Sequence, residues 1–274
     1  MGSIDVEAAL RWAFRDELAK AGTRRAGGIT SSWGLIASYA ETLIRAQPNR
    51  FGLTPNLAVD GEPDPDAVAI GEAVMALDRT PVVVPEGWDP AGDLDLGDLE
   101  AGLMRAATAR ALAAMAVRDA GGEWVFREKP SRIVTRYALM RVGSSPDWAI
   151  DRPVARPIVH ESNGKPRWFR KIEVWEGDER GNPEFGCWRT IVQDGWDLKR
   201  RQPYPDAYLE FILDPDPSVG IEGRIEYEVW RDCLDVLVSA LAGKTTCRIG
   251  PSRRPARPWE TGREPRVLAA IGGA

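Results

Sequence analysis

Apolar residues recur at helical spacing through the first half of the chain. Between Asp5 and Lys20, for example, they repeat every three or four residues, as on the buried face of an amphipathic helix. Prolines, glycines and capping residues mark the ends of such stretches. The pattern predicts helices at Asp5–Lys20, Ser32–Ala46, Asp66–Leu77, Leu96–Arg118 and Ser131–Arg141.

The pattern changes to short alternating runs after the small, polar segment Gly143–Pro146. The dipeptide Asn163-Gly164 is a strong signal for a tight hairpin turn. An amphipathic helix is expected again at Ile221–Leu241, ended by Gly243. The runs predict strands at Pro157–Glu161, Arg167–Trp175, Phe185–Gln193, Tyr208–Leu213 and Thr245–Ile249.

These elements predict an α+β fold, in which a helical N-terminal region precedes a small antiparallel sheet packed by a long C-terminal helix. We expect a helical domain over residues 1–145 and a sheet-plus-helix domain over residues 146–250. Residues 251–274 are rich in proline and arginine, so we expect them to be mobile or to lie across a surface.

Composition restricts the cellular setting. Hydrophobic residues make up 43% of the 274 residues, but no apolar run is long enough for a membrane span, and the N-terminus does not have the pattern of a signal peptide. We therefore expect a cytoplasmic protein without membrane contact.

The cysteines, Cys187, Cys233 and Cys247, are odd in number and irregularly spaced, which favours buried, reduced thiols over disulfides.

Sequence signatures of catalysis are weak. The chain has one histidine, His160, and no pattern of nearby metal ligands or nucleophiles accompanies it. The acids Asp93, Asp95 and Asp98 resemble a calcium loop, but Met104 stands where that motif needs a glutamate, so we interpret them as acids at a helix start. We expect no enzyme, no cofactor and no metal; an enzyme that uses carboxylates alone is a minor alternative.

Charge and aromatic residues are unevenly distributed. The net charge is −5, which divides into −7 for residues 1–121 and +2 for residues 122–274. Arginine outnumbers lysine 30 to 6, and seven of the eleven tryptophans lie beyond residue 140. Arginine binds phosphate and carboxylate groups through a planar fork, so this basic, tryptophan-rich half is the region where a binding surface is expected.

Clusters of cations and aromatic residues indicate where such a surface would lie. The segment Lys165–Lys171 contains four cations and two aromatic residues, and Lys199–Arg201 is a second basic cluster. Cations bind phosphates and aromatic rings stack on unpaired bases, which favours a nucleic-acid surface. The same pattern is also typical of a solvated sheet face with ordinary core aromatics, because alternation sends Trp168 and Phe169 to opposite faces.

The helix at Ser131–Arg141 is a second possible nucleic-acid element. It is expected to expose Arg132, Thr135 and Arg136 after an alanine-rich helix, as in a helix-turn-helix motif. The connection before it is too long for the usual tight turn, so a winged or variant arrangement would be required.

Several stretches together resemble an uncharacterised group of proteins encoded in prophages of alphaproteobacteria. The resemblance covers nearly the whole chain and implies a phage-derived setting, but it implies no activity and no catalytic residue. The stretches that carry it are Val6–Ala13, Pro130–Arg132, Pro166–Phe169, Leu213–Pro217, Tyr227–Trp230 and Arg257–Glu260.

The sequence thus favours a non-enzymatic, phage-type regulator that binds nucleic acid or the transcription machinery. In this hypothesis cations neutralise phosphate and Trp168 stacks on a base. The alternative is a protein–protein adaptor or inhibitor that docks on a host or virion protein, since tryptophan and arginine also dominate protein interfaces. The predicted binding residues are Arg132, Arg136, Lys165, Arg167, Trp168, Arg170, Lys199, Arg200 and Arg201.

Overall fold

A computed structural model describes residues 2–20, 51–53, 56, 61–79, 82–84, 87–122, 124–140, 143–177 and 186–260. Helices and small sheets are both present, which confirms the α+β class. The helix predicted at Ser32–Ala46 lies outside the described residues.

Internal contacts divide the chain into two units. The first unit comprises residues 1–93, 110–149 and 220–274, and the second comprises residues 94–109 and 150–219. These ranges differ from the predicted domains 1–145, 146–250 and 251–274. In this division most of the long C-terminal helix is grouped with the N-terminal helices.

The first unit consists mainly of helices. Asp5 caps the first helix by accepting a hydrogen bond from the Glu7 N–H (2.9 Å), and Asp64 caps the next helix in the same way through the Asp66 N–H (2.8 Å). The helices are α1 (Val6–Arg11), which continues as a π-helical turn (Trp12–Glu17), α2 (Pro65–Ala76), followed by a 3-10 turn (Leu77–Arg79), α3 (Asp98–Met115), which contributes to both units, α4 (Pro130–Leu139) and α5 (Ser218–Leu241).

The described residues of the first unit also form two small sheets. Strand β1 (Ser3–Asp5) pairs in parallel with β11 (Arg248–Gly250), which accounts for the strand predicted near Ile249. Strands β2 (Ala116–Arg118) and β3 (Trp124–Phe126) form an antiparallel hairpin between α3 and α4. This hairpin separates the two helices, so they do not form the tight turn of a standard helix-turn-helix motif.

Aromatic side chains tie the tail to α5. Tyr227 lies against both Trp230 and Trp259, with ring centroids less than 6 Å apart. The Tyr227 hydroxyl also donates a hydrogen bond to the Pro255 carbonyl oxygen (2.9 Å). Residues 251–260 therefore pack against the first unit, and the rest of the predicted tail, residues 261–274, lies outside the described residues.

The second unit is built from short antiparallel strands. The turn at Asn163-Gly164 forms as predicted, with Val159 and Pro166 bridged across it and Gly164 at a φ of 65°. The strands are β4 (Val154–Pro157) paired with β10 (Phe211–Asp214), a three-stranded sheet in the order β6 (Cys187–Asp194), β5 (Trp168–Glu176), β9 (Tyr208–Leu209), and the hairpin β7 (Trp196–Asp197) with β8 (Gln202–Pro203).

The cysteines are all free thiols, but only Cys233 is buried. Burial raises the pKa of the Cys233 thiol to about 12, so it stays protonated at neutral pH. The expectation of buried thiols is wrong for Cys187 and Cys247, which are exposed because they lie on an edge strand and in a turn.

Within the described ranges, no helix has the length and hydropathy of a membrane-spanning segment.

Candidate interaction surface

Strands β5 and β6 form a two-stranded ribbon that extends beyond the rest of its sheet. Eight residue pairs join them, from Phe169 with Asp194 to Glu176 with Cys187, whereas β9 pairs only with the first two residues of β5. Every residue of β6 is exposed. The outer part of the ribbon is therefore a surface rather than a wall of the core.

Directly opposed residues of antiparallel strands share a face, so the register divides the ribbon into two faces. The tryptophan face carries Lys171, Glu173, Trp175, Trp188, Thr190 and Val192. The isoleucine face carries Arg170, Ile172, Val174, Arg189, Ile191 and Gln193.

Large apolar side chains are exposed on the tryptophan face. Trp188 is 66% exposed, Val192 53% and Trp175 41%. The rings of Trp175 and Trp188 meet edge to face, with centroids 5.5 Å apart. A contiguous, exposed aromatic patch of this kind is typical of an interaction site.

Seven of the predicted binding residues belong to the second unit, and most lie near the base of the ribbon. Arg167, Trp168 and Arg170 stand at the start of β5. The Gly195 N–H donates to the Trp168 carbonyl oxygen (2.9 Å), which connects the base of the ribbon to the β7–β8 hairpin. The turn of that hairpin carries the remaining basic cluster, and Lys165 lies in the turn before β5.

Aromatic rings and carboxylates already engage several of these cations. Arg170 forms an ion pair with Asp206 (2.7 Å) and lies 4.6 Å from the centre of the Tyr204 ring. This hydrogen bond from Arg170 lowers the pKa of Asp206. Arg167 lies over Phe169 (5.1 Å), so neither arginine is a freely extended side chain. Trp168 is half-buried, so its ring is only partly accessible for base stacking.

The basic turn Lys199–Arg201 is more accessible. All three residues are exposed, and the Asp197 carboxylate accepts hydrogen bonds from the backbone N–H groups of Lys199 (2.8 Å) and Arg200 (3.1 Å). Arg201 adopts a left-handed conformation, with φ at 55°, that closes the turn. The backbone therefore presents three adjacent cations at the tip of a hairpin, and of these Arg200 also lies 3.9 Å from an Asp197 carboxylate oxygen.

Of the two arginines predicted to be exposed on helix α4, only one is exposed. Arg132 is exposed, but Arg136 lies half-buried between the carboxylates of Glu128 and Glu226 (2.6 Å to Glu226). The hydrogen bond to Glu128, with the charge of Glu226, raises the pKa of the Arg136 guanidinium. Arg136 is therefore less available to bind phosphate than the sequence predicts, because its charge is already compensated within the protein.

An ion pair between a buried arginine and a partly exposed aspartate of the first unit was missed from the sequence. Arg224 on α5 binds both oxygens of Asp93 (2.6 and 3.1 Å), donates to the carbonyl oxygens of Pro90 and Trp148, and lies 5.0 Å from the Trp259 ring centre. Asp93 is thus not a helix-start acid, since α3 begins only at Asp98. No local pattern indicates a pair separated by 131 residues.

A mainly apolar cavity of about 410 Å³ lies in the first unit between α2 and α5. Its lining includes Ala73, Val229 and Val236, with Asp232 and Lys244 as its charged members. Burial raises the pKa of Asp232.

Within the described part of the chain, no group of three or more histidine, cysteine, aspartate or glutamate residues is arranged to hold a metal ion.

No protein-family model matches the chain, and no curated protein or solved structure matches it.

Proposed function

We propose that the protein is an interaction module whose β5–β6 ribbon docks on another protein. The observation that carries this proposal is the exposed tryptophan face, in which Trp188, Trp175 and Val192 form an apolar patch beside the cation Lys171. Burying such a patch in an interface releases water from apolar surface, and tryptophan is the residue type with the largest effects at interfaces. Because the same face carries both Lys171 and the exposed acid Glu173, the matching partner surface offers apolar side chains with charges of both signs at the rim.

The adaptor hypothesis therefore ranks above nucleic-acid binding. Of the nine residues expected to bind nucleic acid, Arg136 and Arg170 are neutralised by carboxylates and Trp168 is half-buried. A protein partner needs none of these groups. A phage-type, cytoplasmic setting without enzymatic activity belongs to the same proposal, and it rests on the sequence resemblance and composition alone.

The test is affinity capture from native lysate with two matched variants. Trp188→Ser removes the centre of the patch, and Val219→Ser makes an equally polar change at an exposed residue outside the ribbon. We expect a captured protein that nuclease does not remove and that Trp188→Ser loses. After purification, that protein should bind Trp188→Ser at least about tenfold more weakly than the wild type or Val219→Ser. Equal binding by both variants would overturn the proposal.

Nucleic-acid binding is retained as a second candidate because of the exposed turn Lys199–Arg201. If it is correct, captured nucleic acid disappears after nuclease treatment, and the triple variant Lys199→Ala/Arg200→Ala/Arg201→Ala loses it while Trp188→Ser keeps it. The affinity for an oligonucleotide should also fall steeply with salt, since phosphate contacts release counterions.

A further inference from the structure

The outer edge of β6 is distinct from the two faces of the ribbon. In the order β6–β5–β9, β6 pairs with β5 on one side, and no described strand pairs with it on the other. Edge strands of monomers are commonly short or protected by charged side chains, especially lysine, by proline or by a bulge, and β6 has charges only at Arg189 and at its last residue, Asp194. Between Cys187 and Asp194 there is no proline, glycine or lysine, and the centre of the strand is Thr190-Ile191-Val192.

The direction of the backbone groups follows from one hydrogen bond. Because the Gly195 N–H donates to the Trp168 carbonyl oxygen, the adjacent pair Phe169/Asp194 is a non-hydrogen-bonded pair of the ladder. Backbone groups alternate in direction along a strand. The residues whose N–H and C=O groups point away from β5 are therefore Trp188, Thr190, Val192 and Asp194.

We propose that β6 of a second copy of this chain pairs antiparallel with this edge, with Ile191 on the two-fold axis. Thr190 then pairs with Val192 of the second copy, and Trp188 with its Asp194. In this register the outward N–H and C=O groups of all four residues acquire partners. The two ribbons become one four-stranded sheet.

The side chains favour a second copy over an unrelated strand. Ile172 lies opposite Ile191 in the ribbon, so the pairing aligns Ile172, Ile191 and their counterparts in one row across four strands. Arg189 faces Gln193 of the second copy, and no like charges are directly opposed. A register centred on Thr190 would instead place the Arg189 side chain against Ile191. The strand is thus complementary to itself, as a two-fold interface requires.

Sedimentation or light scattering of the purified protein provides the first test. The wild type should be a dimer, and Thr190→Pro should weaken dimerisation by about tenfold or more, because it removes an outward N–H from each copy. Thr190→Val is the matched control: it changes the side chain but keeps the N–H, and it should remain dimeric. A monomeric wild type, or a dimer that Thr190→Pro leaves intact, would overturn the proposal.

Cross-linking provides a second test that does not require proline in a strand. In a Cys187→Ser/Cys247→Ser background, Ile191→Cys should form an intermolecular disulfide on mild oxidation, because directly opposed residues at non-hydrogen-bonded positions are about 4.5 Å apart at Cα. Ile172→Cys is on the same face but in the central strand, and it should not cross-link. Equal cross-linking of the two variants would contradict the pairing.

The dimer and the proposed function can be disproved independently of each other. The dimer uses the edge of β6, whereas protein docking uses the tryptophan face. A monomeric protein that still binds a partner through Trp188 overturns the dimer alone. A dimer without any Trp188-dependent partner overturns the proposed function alone.

Discussion

Arg224 places a guanidinium group inside the first unit, where only 2% of its side chain is exposed. Its partner Asp93 supplies the compensating charge through two hydrogen bonds. Removing one member of a fully buried pair leaves the other charged and desolvated, which typically costs about 3–5 kcal/mol; the Asp93 side chain is 17% exposed, so this pair lies at the lower end of that range. We therefore expect Asp93→Ala to lower the free energy of unfolding by about that amount in urea denaturation monitored by tryptophan fluorescence.

Asp95→Ala is the matched control, because Asp95 is an exposed acid of the same loop, whereas the carboxylate that pairs with Arg224 is that of Asp93. It should change the free energy of unfolding by less than about 0.5 kcal/mol. The double variant Asp93→Ala/Arg224→Met removes both charges and should recover part of the loss. If Asp93→Ala unfolds like Asp95→Ala, Asp93 does not compensate a buried charge.

At the scale of elements, α5 packs so closely against the segment at residue 147 that one of its positions requires glycine. A Cβ atom at Gly223 would collide with the Asp147 carbonyl oxygen. Glycine to alanine normally stabilises a helix by up to about 1 kcal/mol, but here we expect Gly223→Ala to destabilise the protein by about 1–3 kcal/mol. Gly102→Ala in α3 meets only the tip of the Arg105 side chain and should stabilise it. Thermal denaturation of both variants checks this; equal shifts in Tm would contradict the close packing.

Helices and turns could be predicted from the sequence where apolar periodicity and capping or turn residues determine them. Helix α5 was expected at Ile221–Leu241 and spans Ser218–Leu241, and the Asn163-Gly164 turn forms as expected. The exposure of β6 was not predictable, since its alternation of side chains is the same whether or not another element covers it. The candidate surface was therefore only partly predicted: the basic residues at the base of the ribbon were identified, but the apolar patch centred on Trp188 was not.

At the scale of the whole molecule, the sequence did not predict which distant segments pack together. The ion pair of Arg224 with Asp93 joins residues 131 positions apart, and residues 251–260 pack on α5 across a shorter separation of 28 residues between Tyr227 and Pro255. Each unit is also assembled from separate segments, so a boundary inferred from the change of pattern near residue 145 did not coincide with the division by contacts. Local patterns carry no information about such pairings.

The tail offers the last prediction at this scale. Trp259 is 6% exposed and contacts Tyr227, Trp148 and Arg224, so it joins the chain's C-terminal region to both α5 and the segment near residue 148. Trp259→Ala should lower the free energy of unfolding by about 3–5 kcal/mol, because a large side chain is removed from a packed core. Arg253→Ala, at an exposed neighbouring position, should leave urea denaturation nearly unchanged. Similar midpoints for the two variants would mean that the tail adds no stability, and that the Tyr227–Trp259 packing is not part of the core.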